Sequence, residues 1–327
     1  PESPSMHADI LLLVLTGTVL NVVGQYLTAT GFAAPSAQAM PWIRYGATLA
    51  YAGLVRARRT VHTSLSPRQH SLLTLIGFLE TVAYTLFTLG FYACGPATAS
   101  LLLAAVSQVL TAASSHWLLG KRLSPRQGLA VMVILLGLGI RAGGGRAGQP
   151  AAEGATQLWG TLFLVAAAAM YTAMGVAYEA LLAASGSARP SYADVSWHSS
   201  KLGFALTSAY VLVYTLPRAS ALLSFDQPGR TLGLVGLFAV GMNLHMACQA
   251  HVFGSRGALG VALANALRGA ALTLATASLF CSPDKPWLCL SQRSALSVAV
   301  TLAGGYLWGS AAAKPAAVPE ARPHKEL

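Results

Sequence analysis

The sequence predicts an all-α membrane protein with about ten transmembrane helices arranged as two inverted five-helix repeats. Three observations lead to this fold class: the composition, the spacing of apolar segments and a similarity between the two halves. Of 327 residues, 54% are apolar and only 9% are charged, whereas a soluble domain carries about 25% charged residues. Because so little charge cannot coat the surface of a water-soluble fold of this size, we expect much of the surface to face lipid.

Apolar segments long enough to cross a bilayer follow one another along the chain. About 20 mostly apolar residues span the hydrocarbon core. Gly95 lies in a tight turn between the third and fourth segments, and Gly257 lies in a similar turn between the eighth and ninth. In chain order, we predict helices near residues 9–32, 39–56, 71–93, 96–119, 128–142, 157–183, 196–217, 230–253, 257–281 and 292–312.

Basic residues indicate how these segments are oriented. Lys and Arg are more frequent in the connections on the side of the N-terminus, and cytosolic loops carry such an excess. We therefore expect both termini in the cytosol. Short basic runs between apolar segments are not a nucleic-acid-binding stripe, so we expect no nucleic-acid partner. Arg44, near the lumenal end of the second segment, is predicted to be an interfacial anchor. The basic residues assigned to the cytosolic side are Arg56, Arg58, Arg59, Arg68, Lys121, Arg122, Arg126, Arg189, Arg256, Lys314, Arg322 and Lys325.

The two halves of the chain resemble each other. The stretch from Ala97 to Leu119 is similar to the stretch from Gly257 to Phe280, and each accompanies a tight turn. Five segments per half is an odd number, so the second half would be inverted relative to the first. Similarity by Ala, Leu and Gly content alone is the alternative. We predict a first repeat at residues 1–142, a flexible linker at 143–156, a second repeat at 157–312 and a disordered cytosolic tail at 313–327.

Ionisable residues inside the segments are the first candidates for function, because each costs about 2.5–3.5 kcal/mol to insert. Glu80 lies mid-span, one turn before Tyr84, and is a candidate to carry a coupling proton, bind a cation or pair with an arginine. Arg268 lies well inside the ninth segment, one turn after Asn265. Its guanidinium requires Glu80, carbonyl groups or an anionic substrate as partner. Lys201 either extends to the membrane interface or anchors an anion.

Uncharged polar residues in the segments either line a cavity or bond one helix to another. His245 and Gln249 lie one turn apart on one face of the eighth segment, where a polar cavity wall is favoured over a metal pathway. Asn21 and Gln25 share a face of the first segment, and Gln108 belongs to a polar face of the fourth. All five are candidates for substrate binding.

The sequence contains no motif that indicates catalysis. It has no nucleophile elbow, P-loop or HExxH zinc motif. We therefore expect no enzyme activity, no cofactor and no metal. Cys281 and Cys289 flank a short polar stretch and either form a disulfide in an oxidising lumen or remain free thiols.

Three stretches resemble the drug/metabolite transporter superfamily. Its fourth-to-fifth-span signature is similar to ATASLLLAAVSQVLTAASSHWLLGKRLSPRQGLAVMVILLGLGI. The end of the sixth span in nucleotide-sugar transporters resembles GVAYEALLAAS, around Glu179. The ninth span of nucleotide-sugar transporters and plastid phosphate translocators resembles LANALRGAALTLATASLF, in which the family's Asn and basic residue fall on Asn265 and Arg268. The resemblance implies that Arg268 binds substrate phosphate.

The chain departs from the phosphate translocators at two positions. Gly269 stands where they have a second basic residue, and the basic residue of their fourth span falls near Ala104. These departures argue against triose-phosphate specificity.

The sequence thus predicts a secondary active transporter that exchanges a nucleotide sugar or related organic anion by alternating access. Arg268 and Lys201 would neutralise the anion, and Asn265 and Tyr84 would hydrogen-bond it. The alternative is a proton-coupled exporter of amines, amino acids or drugs that uses Glu80. A third hypothesis, a membrane receptor or scaffold, requires a bundle without a polar cavity. We expect an endomembrane location, in the Golgi or ER, with the plastid envelope and plasma membrane as alternatives. Expected partners are a small-molecule substrate and membrane lipid, and a homodimer remains open.

Overall fold

The computed structural model is an assembly of helices and describes residues 5–58, 65–117, 124–142, 154–185, 190–224, 226–283 and 289–312. Residues 143–153 of the predicted linker and the predicted tail, 313–327, lie outside these ranges. The α-helices are α1 (Ser5–Ala29), α2 (Ala39–Ala57), α3 (Pro67–Cys94), α4 (Pro96–Trp117), α5 (Pro125–Ala142), α6 (Gly154–Ala184), α7 (Tyr192–Tyr210), α8 (Ala219–Leu222), α9 (Pro228–Phe280) and α10 (Gln292–Ala312).

The prediction of about ten transmembrane helices in two inverted five-helix repeats is wrong in its number of spans. Within the described ranges, four helices are long and apolar enough to cross a membrane. They are compatible with a membrane protein. The apolar parts of α4 and α5 are shorter, at Thr98–Ser114 and Pro125–Ile140. The four candidate spans are Ala8–Leu27, Pro67–Cys94, Leu158–Ala184 and Pro228–Phe280.

The error arises because an apolar segment can form a helix without being long and apolar enough to cross a bilayer. Each predicted segment overlaps a helix, with the eighth and ninth both in α9. However, α2 carries Arg44 and Arg56 within 19 residues. Helix α7 carries Asp194 and Lys201 together with several serines. Such helices are amphipathic or too polar to lie in hydrocarbon without partners. The low charge of the whole chain does not indicate which helices carry the charged residues.

Two helix starts are built from the same four-residue motif, Ser-Pro-Arg-Gln. At the start of α3, the Ser66 hydroxyl accepts from the Gln69 backbone N–H at 3.3 Å, and the Gln69 side chain accepts from the Ser66 N–H at 2.7 Å. Ser124 and Gln127 form the same reciprocal pair before α5, at 3.3 and 3.0 Å. Such capping boxes satisfy backbone donors that a helix start leaves unpaired. The proline at the first helical position favours the same boundary.

Two glycines make equivalent sharp turns in the two halves of the chain. Gly95 separates α3 from α4 with φ 76° and ψ 159°. Gly257 interrupts α9 with φ 70° and ψ −172°, so that residues 228–256 and 258–280 are separate helical segments. A residue with a Cβ would be strained at these positive φ values. At the second turn, the Glu179 side chain accepts a hydrogen bond from the Ala258 N–H at 2.6 Å.

The four candidate spans form the centre of the bundle. Helix α1 packs along α9 and α3 packs along α6, while α2 packs on α7 and α5 on α10. Leu13, Leu73, Leu181 and Val252, one from each central helix, are buried in a shared apolar cluster. The central helices therefore surround the region in which a functional cavity can form.

Helices α5 and α10 approach closely through a matched pair of glycines. A Cβ on Gly137 would lie 2.4 Å from the Thr301 hydroxyl and 2.8 Å from the Thr301 backbone nitrogen. A Cβ on Gly304 would lie 2.9 Å from the Ile134 backbone nitrogen. Because backbone atoms stand in the way, neither helix can make room without moving as a whole.

We expect Gly137→Ala to destabilise the protein by about 1–3 kcal/mol, the usual cost of overpacking. Thermal unfolding of the purified protein in detergent measures this as a lower Tm. Gly139→Ala, two residues along α5, is the matched control, because a Cβ there meets nothing within 4 Å. Equal melting temperatures for the two variants would contradict the close α5–α10 contact.

Candidate functional site

A polar cavity of about 130 Å³ lies between α1, α2, α3, α4, α6 and α9. Glu80 on α3 lies near the middle of its candidate span, and Arg268 lies well inside the second segment of α9. The cavity is therefore deep in the bundle. Its polar and ionisable lining residues are Asn21, Arg44, Glu80, Tyr84, Ser107, Thr111, Tyr171, Thr172, His245, Gln249, Asn265 and Arg268.

Most of the residues predicted from the sequence to bind substrate meet at this cavity. Three predicted residues, Lys201, Gln25 and Gln108, are not among its lining residues. The predicted residues that do line it are Asn21, Glu80, Tyr84, His245, Gln249, Asn265 and Arg268.

Lys201 lies on an outer face of α7. Its side chain is exposed, and its Nζ lies 4.5 Å from the centre of the Trp197 ring. Burial, together with Lys201 and His70, lowers the pKa of the neighbouring His198. This arrangement fits a cation stacked on an aromatic ring near the protein surface, and it separates Lys201 from an anion in the cavity.

Gln25 and Gln108 are placed differently from the prediction. Gln108 is completely buried in α4, and neither its side-chain oxygen nor its nitrogen has a hydrogen-bond partner among the described residues. The side-chain oxygen of Gln25 on α1 is also buried without such a partner. Helical periodicity groups polar residues on one face of a helix, but it does not tell which residue of that face borders the cavity.

A buried ion pair forms one wall of the cavity. The Arg44 guanidinium contacts the Glu80 carboxylate, and both residues are about 5% exposed or less. The guanidinium carbon lies 4.1 Å from the centre of the Tyr84 ring, and Nη2 lies 3.6 Å from the Met246 sulfur. The prediction that Arg44 is an interfacial anchor is therefore wrong: α2 turns this side chain inward, where Glu80 compensates its charge.

Another part of the site contains a hydrogen-bonded chain from Arg268 through His245 to Thr16. The Thr16 hydroxyl donates to the Leu12 carbonyl at 2.8 Å, so it accepts from His245 Nδ1 at 3.0 Å. The proton of the neutral imidazole is then on Nδ1, and Nε2 is left as an acceptor. Arg268 Nη1 lies 3.5 Å from that Nε2. Histidine thus orients the guanidinium without neutralising it.

The charge of Arg268 is not compensated by any described carboxylate. Among the described residues, no carboxylate lies within ion-pairing distance of it, and its Nε is buried without a hydrogen-bond partner. Unpaired donors on a partly buried guanidinium are unfavourable unless a ligand or water satisfies them. The geometry therefore leaves Arg268 available for an anion.

Gly17 gives Arg268 the space to lie along α1. A Cβ on Gly17 would be 2.5 Å from the Arg268 Cδ and 2.9 Å from the His245 Cε1. Any larger residue would push both side chains from their present positions. The glycine thus fixes where the guanidinium lies.

The rest of the cavity wall is largely apolar and aromatic. Phe87, Phe238 and Phe253 line it together with Tyr84 and Met242. Rings and a flexible thioether provide apolar contact area for the non-charged part of a ligand.

Sequence reasoning missed three residues of the site: Arg44, Tyr171 and Thr16. Tyr171 lines the cavity and lies within electrostatic range of Arg44, Glu80 and Arg268. The residues with which Arg44, Tyr171 and Thr16 interact are distant in sequence, so helical periodicity does not indicate that these three belong to the site. The one available clue was Arg44 itself, an arginine inside an apolar segment that required a carboxylate partner.

Cys281 and Cys289, after the end of α9, form a disulfide. Of the two alternatives that the sequence left open, the structure has the bonded form. Disulfides persist in oxidising compartments.

No family model matches the chain, and no curated protein matches it. A solved structure described only as "Crystal structure of protein" superposes on it with a TM-score of 0.60 and 20% sequence identity, covering 92% of this chain and 96% of that chain. The likeness shows a shared fold. At this identity it carries no information about substrate, because function depends on the site and not on the fold.

Proposed function

We propose that this protein is a secondary transporter that exchanges an organic anion across a membrane by alternating access. The observation that carries the proposal is Arg268: a guanidinium at a cavity deep in the bundle, held by a neutral histidine, with no carboxylate beside it among the described residues. A cation in that position is costly unless an anion joins it.

The alternative, a proton-coupled exporter of amines that uses Glu80, has less support. Its carboxylate already contacts Arg44. An incoming amine would have to displace a guanidinium that is attached to α2 and packed against Tyr84. Arg268 would in addition repel a cation entering the same cavity.

A receptor or scaffold is also less well supported, because that hypothesis requires a bundle without a polar cavity. The cavity is bordered by helices from both halves of the chain, α1 to α4 from the first half and α6 and α9 from the second. Movement of one half against the other would expose Arg268 alternately to the two sides, as alternating access requires.

The disulfide supports one orientation within this proposal. Cys281 and Cys289 would lie in an oxidising compartment, whereas the capping motifs before α3 and α5 carry Arg68 and Arg126 and would lie in the cytosol. Basic residues accumulate on the cytosolic side. This combination favours the lumen of the Golgi or ER for the disulfide and the cytosol for both termini.

Counterflow in proteoliposomes tests the proposed function. Vesicles containing the purified protein are loaded with one compound, and uptake of its labelled form is followed. The panel is a uridine-diphosphate sugar, a nucleoside monophosphate, benzoate and benzylamine. Acceleration by at least one anion supports the proposal. Exchange of benzylamine alone supports the Glu80 alternative, and absence of exchange with every compound overturns anion transport.

We expect Gly17→Ala to raise the half-saturating anion concentration about tenfold, because the new methyl group moves Arg268 and loss of one charged hydrogen bond costs about 1.5–3 kcal/mol. The measurement is the concentration dependence of counterflow for an exchanged anion. Gly236→Ala is the control, since that glycine is exposed on α9 and its Cβ would meet nothing within 4 Å. An unchanged half-saturating concentration in Gly17→Ala would show that Arg268 does not hold the anion.

A further inference from the structure

The charges that line the cavity do not cancel. Its charged residues are two guanidiniums, Arg44 and Arg268, and one carboxylate, Glu80. His245 is neutral, because its Nδ1 donates to Thr16 and its Nε2 faces an Arg268 N–H donor. The lining therefore carries a single net positive charge. That charge is localised at Arg268, because Arg44 and Glu80 compensate each other.

We infer that the site selects small organic monoanions with one ring or a comparable apolar body, and that Glu80 sets this preference by neutralising Arg44. The inference rests on the proposed function and narrows its substrate class. A monoanion brings the lined cavity to zero net charge. A dianion, such as a nucleotide sugar, would leave one negative charge uncompensated in a site lined by buried charged side chains, where charge–charge energies are larger than in solution.

The position of the Arg44–Glu80 pair supports this role. Both side chains line the cavity, so they contribute to the field that a ligand experiences. Each is about 5% exposed or less, so solvent screens them weakly. A pair that served packing alone could be placed away from the cavity. Here the carboxylate reduces the number of anionic charges that the site can accept.

The size and lining of the cavity favour a body of about one ring. Its volume of about 130 Å³ is close to that of an engineered protein cavity of about 150 Å³ that binds benzene. Phe87, Phe238 and Phe253 provide ring surfaces in the lining of the same cavity as Arg268. An arylcarboxylate matches both features: the carboxylate pairs with Arg268 and the ring contacts the phenylalanines.

Benzoate and phthalate test the charge preference, because they share one ring and carry one and two negative charges at neutral pH. Counterflow is measured with both in the wild-type protein, in Glu80→Gln and in the double variant Arg44→Gln/Glu80→Gln. The wild type is expected to exchange benzoate at least about tenfold better than phthalate. Glu80→Gln, with a net charge of two in the lining, is expected to shift this ratio towards phthalate by about tenfold or more.

The double variant distinguishes an effect of the cavity's net charge from an effect of altered structure. It removes both members of the pair and restores a single net positive charge, so its benzoate-to-phthalate ratio should return to the wild-type value whatever its rate. Equal ratios in Glu80→Gln and the wild type would overturn the inference. So would a wild-type preference for phthalate, a measurement that does not depend on whether any variant folds. In either case, anion exchange that still requires Arg268 would support the proposed function even though the charge preference is wrong. Absence of exchange with every anion would overturn both the charge preference and the proposed function.

Discussion

Replacing Arg268 by Gln is expected to reduce anion counterflow about a hundredfold or more. The substitution removes the only uncompensated cation among the described cavity-lining residues, while Gln keeps a polar but shorter side chain. A loss of about 2.8 kcal/mol corresponds to a hundredfold change, and charged hydrogen bonds contribute about 1.5–3 kcal/mol each. The measurement is the initial rate of counterflow at a fixed anion concentration, with the amount of inserted protein held equal.

Arg230→Gln is the matched control for this experiment. Arg230 is exposed at the start of α9, and its Nη1 lies 3.4 Å from the Gln227 side-chain oxygen, outside the cavity. The Arg268→Gln protein should remain folded, because it removes a charge that is unfavourable in the empty protein; its Tm should equal or exceed that of the wild type. A fully active Arg268→Gln protein would exclude this guanidinium as the anion site.

The second large effect is on stability. Glu80→Leu is expected to lower the free energy of unfolding by about 3–5 kcal/mol, because it leaves Arg44 buried without a carboxylate. Thermal unfolding in detergent measures the loss.

The double variant Arg44→Met/Glu80→Leu completes the cycle. Because neither charge remains, it should recover most of the lost stability, as replacements of buried ion pairs by apolar side chains often do. Additive losses in the double variant would mean that the two residues contribute to stability independently. That result would be incompatible with the contact between their side chains.

Much of the site could be predicted from single residues that are unfavourable in an apolar helix. Glu80 and Arg268 stood out because a charge among apolar residues needs a partner, and both line the cavity. Asn265 and Tyr84 lie one turn from them on the same helices, which periodicity conveys directly. The residues that pair with these charged side chains could not be predicted in the same way. Arg44 and Glu80 are on different helices, and only the packing of α2 against α3 shows that they meet.

The number of membrane spans is the main difference between the sequence-based prediction and the structure. Hydropathy predicts a span from each apolar segment in a sequence of low charge, but α2 and α7 carry charged residues that are paired with residues of other helices. Arg56 on α2 contacts Asp194 on α7, for example. Such pairing lets a helix that carries charged residues pack in the bundle with those charges compensated, so hydropathy alone counts too many spans.

The sequence by itself determined that the chain forms helices, where Gly95 and Gly257 break them, and which side chains are too polar for their surroundings. These properties are local, since helix formation, turn conformation and insertion energy depend on neighbouring residues. Only the tertiary structure decided which charges compensate each other and which one remains free. That outcome depends on distances between helices, because the energy of a charge in a bundle is set by what packs against it. Arg44 and Arg268 are both arginines among apolar residues, yet one meets a carboxylate and the other a neutral histidine.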